Sequence, residues 1–179
     1  MRVYVTGQSG SGKTTTARAI ASIHGIPHCQ SDRIRHPNAP EYVSGAEVNK
    51  EVFAEGLRQY SERSEWVIDG ILYNRALRRD MMGRADEIVY LALPLVTSER
   101  HVFKRRRRRR KPITLEFVRR RGRKARQYPR HKRNLEEDLQ PHASKTVSLR
   151  SHLEIDRYLA ELRVRARTDA QAASTSEAE

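Results

Sequence analysis

The stretch GQSGSGKT, residues 7–14, lies between a short β-branched run, RVYVTG (2–7), and a segment of helical periodicity from Lys13 to Ile23. It fits the pattern G-x-x-x-x-G-K-[ST] in the context that gives the pattern meaning, strand before and helix after. A glycine-rich loop at that junction aims backbone N–H groups and the positive end of a helix at one point, where a phosphate fits. Gly7, Gly10 and Gly12 allow the chain to turn tightly and a phosphate to approach closely. Gln8, Ser9 and Ser11 complete the loop, and Thr15 follows it. Lys13 supplies a mobile positive charge to the outer phosphates, and the Thr14 hydroxyl is suited to Mg2+. ATP or GTP is the expected ligand class; the pattern does not choose between the bases.

Outward from this loop, strand and helix signals alternate. The helix carries Ala17, Ile20 and Ala21 on one face and closes at Gly25 and Pro27. A second strand is expected around Pro27–Gln30. A helix over residues 45–62 would bury Val48, Val52, Phe53 and Leu57. WVIDG (66–70) and EIVYLALP (87–94) read as strands with a helical segment between them. Thr97 or Ser98 is placed to cap a helix that enters the arginine run. KTVSLRS (145–151) is a last strand, followed by a helix with Leu153, Ile155, Leu159, Leu162 and Val164. Alternation of this kind predicts an α/β fold with a parallel sheet covered on both faces.

Three further groups of residues carry candidate chemistry. Asp69 ends an apolar strand beside the first one, where a carboxylate can face the phosphate loop and hold Mg2+ together with Thr14. Asp32, after the second strand, is placed to orient or deprotonate an acceptor, with Arg35 nearby to attract an anionic substrate. Arg75 and Arg78 follow WVIDG and are candidates to hold an acceptor phosphate or carboxylate.

Charge is distributed unevenly along the 179 residues, whose formal net charge is +14. Residues 104–133 contain 17 Lys or Arg and one acid, Glu116, while the remainder holds 19 basic and 21 acidic side chains. The basicity therefore belongs to one segment inside the fold. A single cysteine, Cys29, excludes an internal disulfide framework. With no long apolar run, no membrane partner is expected, and a cytoplasmic monomer is the expectation. One P-loop domain over 1–166, with a basic lid region at 100–135, is expected to end in a disordered, solvated tail over 167–179.

Several segments together resemble the adenylate-kinase-related P-loop nucleotide kinases, especially small proteins labelled DNA topology modulation proteins. GQSGSGKTTTARAIA is similar to their phosphate loop and first helix, GIPHCQSD to their second strand end, and WVIDG to the segment whose aspartate faces the Mg-nucleotide. RADEIVYLALP and KTVSLRSHLEIDRYL are similar to their fourth strand and their closing strand and helix. The likeness spans about residues 2–165. It implies a five-stranded parallel sheet of order 2-3-1-4-5, ATP at its C-terminal edge, an arginine-rich lid after strand four, and phosphoryl transfer to a small acceptor, a nucleotide or related metabolite. ILYNR, after WVIDG, departs from the aromatic-proline-arginine turn of adenylate kinases.

HVFKRRRRRRKP (101–112) falls where that lid would emerge. In a continuing helix Arg105 and Arg109 share a face, as do Arg106 and Arg110; the first pair are the expected catalytic arginines, with the one-residue register between the two pairs left open. A lid needs two or three arginines, far fewer than this segment holds. The surplus supports an alternative function, a nucleic-acid-associated ATPase or polynucleotide-end kinase that holds a phosphate backbone, and nonspecific nucleic acid is a candidate partner beside a small anionic acceptor.

Overall fold

A computed structural model describes residues 1–35 and 49–176. The strands are β1 (Arg2–Gly7), β2 (His28–Gln30), β3 (Trp66–Asp69), β4 (Glu87–Leu91) and β5 (Thr146–Leu149). The helices are α1 (Lys13–His24), α2 (Ser31–Arg35), α3 (Lys50–Ser61), α4 (Arg75–Arg84), α5 (Leu95–Arg108), α6 (Leu115–Leu139) and α7 (His152–Ser176), with a 3-10 segment, Gln140–Lys145, before β5. All strand pairs are parallel and the order is β2-β3-β1-β4-β5, as the resemblance implies.

Alternation along the strands divides the interior into two cores. Val3 and Val5 of β1, Val67 of β3 and Val89 of β4 face α1 and α7, packing with Ala17, Ile20, Ile155 and Leu162. The intervening residues, Tyr4, Trp66, Ile68 and Ile88, point the other way against Phe53 and Leu57 of α3 and Met81 and Met82 of α4. A strand buried on both faces has no polar side, which is why these runs read as continuous apolar segments. Because β1 is central and β3 and β4 flank it, the loop after Gly7 and the end of β3 at Asp69 emerge side by side.

The structure revises several local expectations. Phe53 and Leu57 of α3 are buried as expected and Ser61 joins them, but Val52 is 59% exposed; residues 45–48 of the expected helix lie outside the described residues. Asn49 caps α3 by accepting from Glu51 N at 3.1 Å. Neither Thr97 nor Ser98 caps α5, because that helix starts earlier, behind Pro94, and Ser98 is buried. On α7, Leu153 and Val164 are exposed while Tyr158 takes a core place. The same helix runs on to Ser176, through most of the segment whose composition suggests a disordered tail. Among the described residues no helix is long and apolar enough to cross a membrane.

Helix α6 is anchored at its C-terminal end by a carboxylate. Asp138 is 1% exposed and accepts hydrogen bonds from Arg75 Nε (2.7 Å), Arg78 Nε (2.9 Å) and Arg79 Nε (2.7 Å), all on α4. Burial alone would raise its pKa, but these three guanidinium groups together hold it below the ordinary carboxylate value. Arg78 is itself buried and also donates to Leu72 O at 2.7 Å. Asp138→Ala should therefore strand a buried cation and cost about 3–5 kcal/mol in urea denaturation. A loss below about 1 kcal/mol would mean that solvent screens the cluster as it does a surface pair.

Candidate functional site

The loop is shaped by glycine and held by α5. Gly10 (φ 88°) lies against α5 so closely that a methyl group there would collide with Ser98 O. Gly12 (φ 95°) occupies the N-cap position of α1, contributes no side-chain cap, and has open space where a Cβ would project. The first-turn N–H groups of α1 thus face an opening, the arrangement that favours an anion. Gln8 Nε2 donates to Leu93 O at 2.8 Å and to Ser98 Oγ at 2.7 Å, and His101 Nδ1 lies 3.1 Å from Gly10 O. Ser11 Oγ is buried in the loop with no hydrogen-bond partner among the described residues.

Asp69 stands at the head of this loop. It is 2% exposed and accepts from Thr14 Oγ1 at 2.7 Å through one oxygen, while the other lies 2.8 Å from His28 Nε2. Lys13 donates to Gln8 O at 2.7 Å. Burial pulls the Lys13 pKa down to about 8; Asp69 and Asp32 oppose that shift and Arg105 adds to it. A neighbouring hydroxyl and carboxylate are hard oxygen donors of the kind Mg2+ takes, since that ion keeps most of its waters and needs one or two protein oxygens. The open N-terminus of α1, Lys13 and the orphaned Ser11 hydroxyl fit a polyphosphate chain. The residues present therefore suit both ATP and Mg2+, with Thr14 and Asp69 as the metal-side pair.

A cavity of about 410 Å³ opens beside the loop. Thr6 to Ser9 form one wall, Ile71 to Tyr73 another, and α6 closes the third with Arg121, Lys124 and Lys132. Arg121 is buried and pairs with Glu99 of α5 through both nitrogens it presents, Nε donating at 2.8 Å. Burial first, then Arg121 and Arg120, lower the Lys124 pKa, against Asp32 and Glu99. Tyr73 meets His131 of α6 edge-on, ring centroids 5.6 Å apart. Ser31 packs directly on Gly70, so the start of α2 is fixed at the end of β3. Asp32 consequently lies within electrostatic reach of Lys13, Tyr73 and Lys124.

The expected site residues do not all converge. Gly7 to Thr14, Asp69 and Asp32 gather at one sheet edge. Arg75 and Arg78 are engaged with Asp138, and of the two only Arg78 also lines the cavity. Arg35 sits over the Phe53 ring at 4.5 Å. Helix α5 ends at Arg108, with Arg110 in the left-handed region (φ 52°), so Arg109 leaves the helix that was expected to continue. Arg105 is electrostatically coupled to Lys13, but neither Arg105 nor Arg109 lines the cavity. Sequence reasoning missed His28, Glu99, Arg121 and Lys124. The usable signal was Phe117, Arg121, Lys124 and Tyr128 at spacings of four, three and four, one helical face hidden in a run of charge.

No protein-family model matches the chain, and no curated protein matches it. Solved structures do. A gluconokinase from Sinorhizobium meliloti 1021 superposes with a TM-score of 0.54 at 18% identity, covering 98% of this chain and 96% of that one. Shikimate kinase from Aquifex aeolicus gives 0.52 at 19%, covering 96% and 99%. Deoxyadenosine kinase from M. mycoides gives 0.52 at 14%, covering 94% and 100%. At such identities the likeness is one of fold alone, a five-stranded parallel sheet with helices on both faces.

Proposed function

We propose that this chain transfers a phosphoryl group from ATP to the hydroxyl of a small anionic acceptor, with Mg2+. The observation that carries this reading is the cavity shared by the phosphate loop and α6, in which Gly7 to Ser9 and the cations Arg121 and Lys124 face one space. An acceptor lodged there touches the phosphate loop on one side and balances cationic charge on the other. The enclosed volume, about 410 Å³, favours a small acceptor over the end of a polynucleotide. The fold shared with three small-molecule kinases adds support, as does the resemblance to topology modulation proteins, which names no acceptor.

In this mechanism Asp32 accepts the proton as the acceptor oxygen bonds to the terminal phosphorus of ATP and the bond to the ADP oxygen breaks. Lys13 and Arg121 offset the charge that spreads over the transferring oxygens. Arg105 adds to that field from α5, while Arg109, Arg35 and Arg75 act at the periphery. Mg2+, when bound, would supply positive charge against the phosphates. Thr14 and Asp69 hold the metal side, and His28 orients the Asp69 carboxylate.

The direct test is incubation with ATP and a panel of nucleotides, sugars and hydroxy acids, read by mass spectrometry. Lys13→Ala should lower turnover at least ~100-fold, the cost of removing one group that stabilises transition-state charge. Asp69→Asn should lower it about 10–100-fold, as loss of metal orientation does. No phosphorylated acceptor across the panel, with ATP binding intact, overturns the proposal.

Among the arginines, Arg121→Gln should lower kcat at least ~100-fold, whereas Arg109→Gln should change it less than about threefold. Equal effects from the two would contradict the assignment of Arg121 over Arg109.

ATP selects the charged form of Lys13, whose pKa in the free protein is about 8. Below that value the ammonium is already present, so ATP affinity should be flat with pH. Above it a proton must be taken up on binding, and Kd should rise toward about tenfold per pH unit. Calorimetric titration gives the profile; a flat one to about pH 9.5 contradicts the perturbed lysine.

A further inference from the structure

Helix α6 sorts its charge by face. Phe117, Arg121, Lys124, Tyr128 and Leu135 point toward the core or the cavity. Arg119, Arg123, Arg126, Arg130 and Arg133 follow each other at spacings of four, three, four and three. At 100° per residue they fall within an arc of about 80° on the side of the helix away from Arg121. All five are exposed, and none has a side-chain hydrogen bond or ion pair among the described residues. A helix turned this way cannot bring them to the phosphate loop. The kinase reading therefore leaves them without a task.

Five unpaired arginines one turn apart repel each other along the helix, so their arrangement is unfavourable until a multiply charged anion lies on it. We infer that this outer face of α6 binds the phosphate backbone of a nucleic acid, without reading its sequence. The stripe is about 21 Å long at 1.5 Å per residue. Duplex phosphates advance about 3.4 Å per step along each strand, so about six steps lie under it. Every member is arginine, whose planar fork pairs with two phosphate oxygens at once. An anionic membrane is the poorer match: between Arg119 and Arg133 no apolar side chain lies in that arc, and a membrane-surface helix needs apolar groups to insert. With no aromatic residue there to stack on a base, contacts go to the backbone alone.

The test is fluorescence anisotropy of the whole chain with labelled duplex DNA and single-stranded RNA, titrated with salt. For five duplex contacts, log Kd should rise with log salt at a slope of about 4.5, an affinity loss near 500-fold between 50 and 200 mM. The variant carrying all five Arg→Gln substitutions should lose about 4–5 units of that slope and keep wild-type ATP affinity. Arg126→Gln with Arg130→Gln should lose about two units, which preserves the test if the fuller variant folds poorly. An unchanged slope in both variants overturns the inference. So does the absence of salt-dependent binding to either polymer, or equal binding of poly-glutamate. Tighter binding to phosphatidylserine vesicles than to either polymer overturns it in favour of a membrane. Anisotropy requires no phosphoryl transfer, so failure here leaves the proposed kinase activity standing.

Discussion

A loop with three glycines at positive φ does not hold one shape by itself, and the rest of the site depends on what fixes it. Here the support is α5. The Gln8 side chain ties the loop to Leu93 O and the Ser98 hydroxyl, and Gly10 approaches the α5 backbone too closely for any larger residue. This is why Ser98 is buried rather than serving as a cap, and why a side chain as long as Gln8 suits its position. Once the loop is fixed, Lys13 and Thr14 fall opposite Asp69, because β1 and β3 are paired in register as far as Val5 and Asp69. The same helix carries Glu99, which binds Arg121, so one element sets both the donor loop and the cation facing it.

Much of this was legible in the sequence where one local rule decided the outcome. Strand, glycine loop and helix at 2–23 follow from β-branched residues, turn residues and periodicity, and tertiary contacts agree with them. Asp69 was legible because a carboxylate ending an apolar strand has few other uses. Val52 was misread because Val48, Val52 and Phe53 all satisfy helical spacing, and only packing selects which side is buried. Arg105 and Arg109 were favoured on the assumption that α5 continues, whereas Arg110 adopts a left-handed conformation and ends it. Arg121 was hidden by its neighbours: in a run of identical charges, composition gives no phase, and phase is what separates a buried arginine from an exposed one.

The phase of α6 is fixed at both ends. Phe117 packs edge-on against Phe103 with centroids 5.3 Å apart, and Asp138 takes the three arginines of α4. A slip of one residue would rotate the helix by about 100°, remove Asp138 from Arg78 and leave two buried charges unpaired. The cost of that error keeps Arg121 and Lys124 on the cavity side and the five outer arginines on the opposite side. The cavity cations are also partly balanced by Glu99 and Asp32, so any anion entering the cavity would compete with carboxylates for Arg121 and Lys124. Among the described residues the outer arginines have no such partner. The two cationic faces of one helix therefore differ in character: the inner one is already paired with carboxylates, and the outer one carries exposed arginines with no such pairing among the described residues.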